Sequence, residues 1–142
     1  VNNGESYNGE GLGLEPFVRA MKAAIADSSG TTLVISSADL SHVGPGFGDQ
    51  QSLAGEDEAS AEARNRVFHH DREMLGLFAE GKLEELIAAM AWQQNPTRWC
   101  SLGNMIAASR IVEPQSATVL NYMAAMDPQG IQLVSSCAMA LN

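Results

Sequence analysis

Apolar residues recur at helical spacing early in the chain. Leu14, Phe17, Val18, Met21 and Ile25 form one stripe, which predicts an amphipathic helix. Asp27, Ser28, Ser29 and Gly30 close it, with Gly30 suited to the turn beyond a helix end. The period then changes. Thr31 to Ser37 (TTLVISS) is a short β-branched and apolar run that predicts a buried strand, as in a parallel sheet. Helix, tight turn and buried strand in succession is the rhythm of an α/β fold.

The rest of the chain divides in the same way. Val1 to Gly13, rich in Gly and Asn, reads as loop, and Gln50 to Glu58 as an exposed acidic loop. A long helix is expected from Ala59 to Phe78, with Val67, Met74, Leu75 and Phe78 on its apolar face and Asp71 on that same face. Gly81 breaks it, and a second helix runs from Leu83 to Ala91. After a loop containing Pro96, helices are expected over Ser101 to Ile111 and Ser116 to Ala125, with Pro114 between them. Asp127 to Gly130 reads as a turn and Ile131 to Leu141 as a closing strand.

Length and charge narrow the function classes. With 142 residues the chain is about one domain, and a domain near this size hides roughly two-thirds of its unfolded surface. The formal net charge is −9, with only 8 Lys and Arg, so the surface lacks the basic character that phosphate neutralisation demands. Nucleic acid is set aside, and so is an anionic membrane surface. No apolar stretch approaches the roughly 20 residues that span a bilayer. Two cysteines, Cys100 and Cys137, do not make a disulfide framework, and a reducing cytoplasm is expected. The first residue is Val1, so either a processed start or a piece of a longer chain is expected.

The residues that can carry chemistry gather after the expected first strand. Asp39 and His42 stand at the place where open α/β sheets bind ligands, just beyond a strand's carboxyl end. At spacing i, i+3 a carboxylate and an imidazole can face one pocket, where the carboxylate fixes the tautomer and stabilises the imidazolium. Against this, Asp39 can be a cap and His42 a packed or solvent-facing side chain, and Ser36, Ser37 and Ser41 are expected to cap. His69 and His70 point about 100° apart on a helix and read as a solvated face. Asp71, on an apolar stripe, needs partners and reads as a structural acceptor. Cys100 is expected between a loop and a helix, where the helix dipole stabilises a thiolate. It is a candidate nucleophile or metal ligand, or simply a buried thiol, whereas Cys137 reads as core. GxGxxG, Walker A, paired CxxC, nucleophile-elbow and HExxH patterns do not occur.

The run Ser36-Ser37-Ala38-Asp39-Leu40-Ser41-His42-Val43-Gly44 resembles the signature of the MEMO family, which includes the MEMO-like proteins of the AmmeMemoRadiSam system. The family shows Ser-Ser-Asp-Leu-Ser-His, and Ala38 stands within that run as an extra or substituted residue. Asp71 in His70-Asp71-Arg72-Glu73-Met74, then Arg98-Trp99-Cys100, then Leu120-Asn121-Tyr122 match in order. The family usually has Gly after the cysteine, where this chain has Ser101 and then Gly103 two further on. The resemblance spans nearly all of the chain and only the C-terminal half of the family's length.

The resemblance implies the fold of class III extradiol (LigB-type) dioxygenases: the C-terminal half of an α/β sandwich with a mainly buried sheet flanked by helices. It implies an acid–base pair at His42 and Asp39, and Cys100 as a ligand to iron, copper or zinc, a plausible first shell for one thiolate and two imidazoles. Those two histidines would come from an N-terminal half, so this chain alone is expected to bind no metal. The implied function is a pocket for a metal, a small ligand or a peptide. The alternatives are a non-haem metal-dependent dioxygenase and a non-enzymatic interaction module. The expected partner is the N-terminal half, or a second copy.

Overall fold

The computed structural model of the protein describes residues 9–142. The loop expected at the start therefore lies mostly outside the described residues. The helices are α1 (Leu14–Asp27), α2 (Glu58–Ala79), α3 (Leu83–Trp92) and α4 (Leu102–Val112). The strands are β1 (His42–Val43), β2 (Ala117–Met126) and β3 (Leu133–Leu141). They form one antiparallel sheet in the order β1-β3-β2. No helix among the described residues is long and apolar enough to cross a membrane.

All four helices follow apolar stripes visible in the sequence. α2 starts where the Asp57 side chain accepts the Ser60 backbone N–H at 2.9 Å, an N-cap that satisfies an otherwise orphaned donor. Its buried side includes Val67, His70, Asp71, Met74, Leu75 and Phe78, spaced three and four apart. With Leu40, Leu86, Met90, Trp99, Leu102, Met105 and Ile106, the last three apolar members of that set, Met74, Leu75 and Phe78, make the main core. A smaller cluster of Val43, Leu53, Ala63, Val67 and Leu133 sits under the turn that follows β1.

Three expectations about this architecture are corrected. Residues 31–37 are not a buried parallel strand: the stretch is extended but joins no ladder, and Leu33 and Ile35 are 81% and 76% exposed. Apolar β-branched composition makes a run ready to pair, yet only a neighbouring strand makes it a strand, and the described residues place none beside it. The helix expected over Ser116 to Ala125 is β2, paired with β3 from Ala117↔Leu141 to Met126↔Leu133. Thr118, Val119 and Tyr122 favour the pleated form, and the hairpin turn at Asp127 brings β3 within reach, so the long-range ladder overrides the helix-favouring Ala and Met residues. The sheet is also not buried throughout. β3 is buried at its start, while most of β2 is exposed.

Candidate functional site

The chain leaves residues 31–39 and turns into β1 through a tightly held segment. The Leu40 N–H donates to Ser135 O at 2.8 Å, the His42 N–H to Thr97 O at 2.7 Å, and the Ser101 N–H to Asp39 O at 3.1 Å. Residues 39–42 are thus fixed between β3 on one side and the 93–101 loop on the other. That loop has an unusual backbone: Gln94, Asn95 and Arg98 take φ of 57°, 50° and 58°, left-handed values uncommon for non-glycine residues. Two side chains hold it. Asn95 brackets Trp99, accepting from its N–H at 2.8 Å and donating to its carbonyl at 3.1 Å. Arg98 forks onto Asp49 at 2.6 and 3.2 Å and also donates to His42 O at 2.9 Å. This fork, the strong bidentate form of the pairing, holds the Asp49 carboxyl below its usual range despite some burial.

Asp39, His42 and Cys100 come together at the end of this segment. His42 Nε2 lies 3.7 Å from Asp39 Oδ2, and the Cys100 thiol lies 3.2 Å from Asp39 O. His42 Nδ1 faces two carbonyl oxygens, Leu40 O at 3.1 Å and Arg98 O at 3.2 Å. Carbonyls only accept, so Nδ1 carries the hydrogen, and Nε2 of the neutral ring is left open toward Asp39. Phe47 meets the His42 ring edge-on at 5.4 Å between centroids and restrains its tilt. Asp39 and Cys100 are exposed and His42 is half-buried, so the group borders solvent. Cys100 stands just before Ser101, the cap of α4, as the loop–helix expectation had it.

Beneath this group lies a carboxylate that takes four hydrogen bonds. Asp71, fully buried on α2, accepts from Ser41 Oγ at 2.5 Å and Trp99 Nε1 at 2.7 Å on one oxygen. Its other oxygen accepts from Tyr122 OH at 2.6 Å and Ser135 Oγ at 2.5 Å. Burial and the bond to Asp71 push the Tyr122 phenol well above its ordinary value. Asp71 therefore ties α2, β1's approach, the 93–101 loop, β2 and β3 under the Asp39–His42 turn. The expectation that it accepts hydrogen bonds in a structural role matches this geometry. The identity of the donors was not legible, although a buried indole N–H needs an acceptor as much as Asp71 needs donors.

His69 and His70 part company. His69 is exposed as expected, but His70 is only 9% exposed and not on a solvated face. It follows Val67 by three positions and precedes Met74 by four, so it shares the buried stripe. Burial lowers its pKa from the usual value, and its Nε2 takes no hydrogen bond among the described residues.

The two thiols differ in exposure, Cys100 being exposed and Cys137 half-buried. Cys137 is half-buried against the main core, and burial followed by the nearby Asp71 pushes its pKa up. Alkylation of the native chain followed by mass spectrometry is expected to modify Cys100 first, by on the order of tenfold or more, because poor access and a raised pKa both slow Cys137. Modification of Cys137 first would overturn the placement of Cys100 at an open site.

Among the described residues no group of three or more His, Cys, Asp or Glu is arranged to hold a metal ion. The donors here, one thiol and one imidazole with an open Nε2, do not by themselves make a metal site. No family model, no curated protein and no solved structure matches the chain. The fold is mixed α/β, and the site is defined by its own geometry.

Proposed function

We propose that the chain is the C-terminal half of a MEMO-like protein, and that Asp39, His42 and Cys100 border a site that binds a metal, a small ligand or a peptide. The observation that carries this reading is that residues 39, 42 and 100 meet at one solvent-bordering turn, the His42 ring beside the Asp39 carboxylate and the Cys100 thiol on the Asp39 carbonyl. His42 has its Nδ1 fixed by carbonyls and its Nε2 turned to the Asp39 carboxylate at 3.7 Å, the arrangement of a ring that either moves a proton or meets a ligand. Cys100 supplies one soft donor at the edge of the same group. Two imidazoles from another part of the protein would complete a site for iron, copper or zinc. In that setting the chain's own residues orient and move protons: Asp39 faces His42 Nε2, and Arg98 and Asp49 hold the loop that carries Cys100.

The Nε2 facing Asp39 favours a second reading, in which the completed protein is a metal-dependent dioxygenase or related oxidoreductase with His42 as its acid–base group. The reducing cytoplasm is the compartment that suits an exposed free thiol at such a site.

Metal analysis tests the first reading. The protein carrying an N-terminal half with two histidines is expected to hold about one metal ion per chain, since thiolate plus two imidazoles is a sufficient first shell. Cys100→Ser is expected to lose most of that metal, and the 142-residue chain alone is expected to retain little. Full metal content in the Cys100→Ser protein would sink the assignment. Iron-dependent oxygen uptake with catechols, lost in His42→Gln while metal is kept, would select the second reading.

A further inference from the structure

Three buried side-chain polar atoms among the described residues lack a hydrogen-bond partner, and two of them belong to residues that line one cavity. They are His70 Nε2, on α2, and Thr97 Oγ1, on the 93–101 loop, in residues only 9% and 8% exposed. The cavity measures about 310 Å³. Its buried walls are Val43, Leu53, Ala63 and Val67, and its exposed rim is Gln51, Arg66 and Pro96. Asp39, His42 and Cys100 do not line it. A buried polar atom without a partner is costly, so two of them beside one cavity call for a polar occupant.

Charge narrows the class of that occupant. The Asp49 carboxylate at this cavity already accepts from Arg98 twice and from the Gly44 N–H. The Arg66 guanidinium stands in solvent, 3.8 Å from Glu62. Burial disfavours the charged form of His70. A charged head seated at His70 and Thr97 would therefore lose its hydration without an opposite charge to meet it. An imidazole nitrogen and a threonyl hydroxyl are both served by a group that donates and accepts, and a hydroxyl does so with one oxygen.

We propose that this cavity binds a small uncharged hydroxyl compound, its oxygen held by His70 and Thr97 and an apolar body the size of one ring packed on Val43, Leu53, Ala63 and Val67. Room is sufficient, since an apolar cavity of about 150 Å³ already takes benzene. In this conformation both polar atoms are closed to solvent. The imidazole and the hydroxyl therefore turn to the ligand by rotation about their own side-chain bonds, and each exchanges an unpaired state for a paired one. The site uses no metal and none of the three residues at the Asp39 turn, so it stands apart from the metal reading.

NMR titration of the 142-residue chain with benzyl alcohol tests it. Saturable shifts are expected at the Thr97 and Val67 methyl groups and at the His70 ring nitrogens, with a Kd of about 1 mM or tighter for a ligand of this size. Thr97→Val keeps the shape and removes the hydroxyl. It is expected to weaken benzyl alcohol about tenfold and to leave toluene, the same ring without the oxygen, unchanged. Its urea midpoint should equal or exceed that of the wild type, because an unpaired polar atom is removed. Should the variant not fold, the wild type decides: benzyl alcohol must move the His70 ring nitrogens further than toluene does. Absence of saturable shifts at these residues overturns the proposal and leaves water as the partner of both atoms. So does benzyl alcohol binding that is indifferent to Thr97→Val, or a His70 shift no larger than that caused by toluene. Tighter binding of benzoate than of benzyl alcohol also overturns it, because the site would then recognise an anion at Arg66.

Discussion

Asp71→Ala is expected to destabilise the protein by at least about 3–5 kcal/mol, seen as a large drop in the urea midpoint followed by Trp99 fluorescence. The substitution leaves four donors without their acceptor, on the buried Ser41, Trp99 and Ser135 and the half-buried Tyr122. Each buried donor left unsatisfied costs roughly 1–3 kcal/mol, and the space vacated by one carboxylate cannot admit enough water to serve all four. Against a total stability of about 5–15 kcal/mol for a domain of this kind, the loss is a large share of the whole. Tyr122→Phe is the internal comparison. It removes one donor and keeps three, and is expected to cost only about 1 kcal/mol. If the two variants prove equally stable, Asp71 is not the common acceptor described here.

Gly44→Ala is expected to be the most damaging single change near His42. Gly44 has φ of 114°, and an added Cβ would collide with the backbone carbonyl of Ile131 while approaching Leu53 Cδ1 to 3.2 Å. The strained backbone costs on the order of 1–3 kcal/mol. The collision adds to this because the obstacle is main chain. Relief requires the chain entering β3 to move away from β1, where Val43 pairs with Leu133. A total of about 3 kcal/mol or more is expected, with loss of the His42 environment in NMR spectra. Gly48→Ala separates the two causes. Gly48 has φ of 92° but nothing within 4 Å of an added Cβ, so only the backbone cost remains. Equal destabilisation by both would show that the close approach to Ile131 does not matter.

The helices were legible because their information is local. The stripe of Leu14, Val18 and Met21, and that of Val67, Met74 and Phe78, repeat at the period of the structure they adopt. The strands were harder because a strand depends on its neighbour. Residues 31–37 carry every local mark of a strand and pair with nothing described, whereas 116–125 read as helix and lie in β2 because β3 lies alongside. In the site, Asp39, His42 and Cys100 were each visible as chemistry-bearing residues, and the structure brings them together. What supports them was not visible. The Arg98–Asp49 fork joins positions 49 apart, and the left-handed backbone at Gln94, Asn95 and Arg98 has no glycine to announce it. His70 was misread although its spacing from Val67 and Met74 put it on the buried stripe.

The reach of Asp71 also shapes the route by which the chain folds. Its partners lie 28, 30, 51 and 64 residues away, at Trp99, Ser41, Tyr122 and Ser135. α2 can form early from contacts within its own length, and the β2–β3 hairpin from pairing across a short turn. The carboxylate on α2 can shed its water only when the hairpin, the 93–101 loop and Ser41 have all arrived, because a partly served buried carboxylate is worse off than a hydrated one. The hub is therefore expected to close late, after the folding barrier, so that Asp71→Ala speeds unfolding in stopped-flow measurements and leaves the refolding rate almost unchanged.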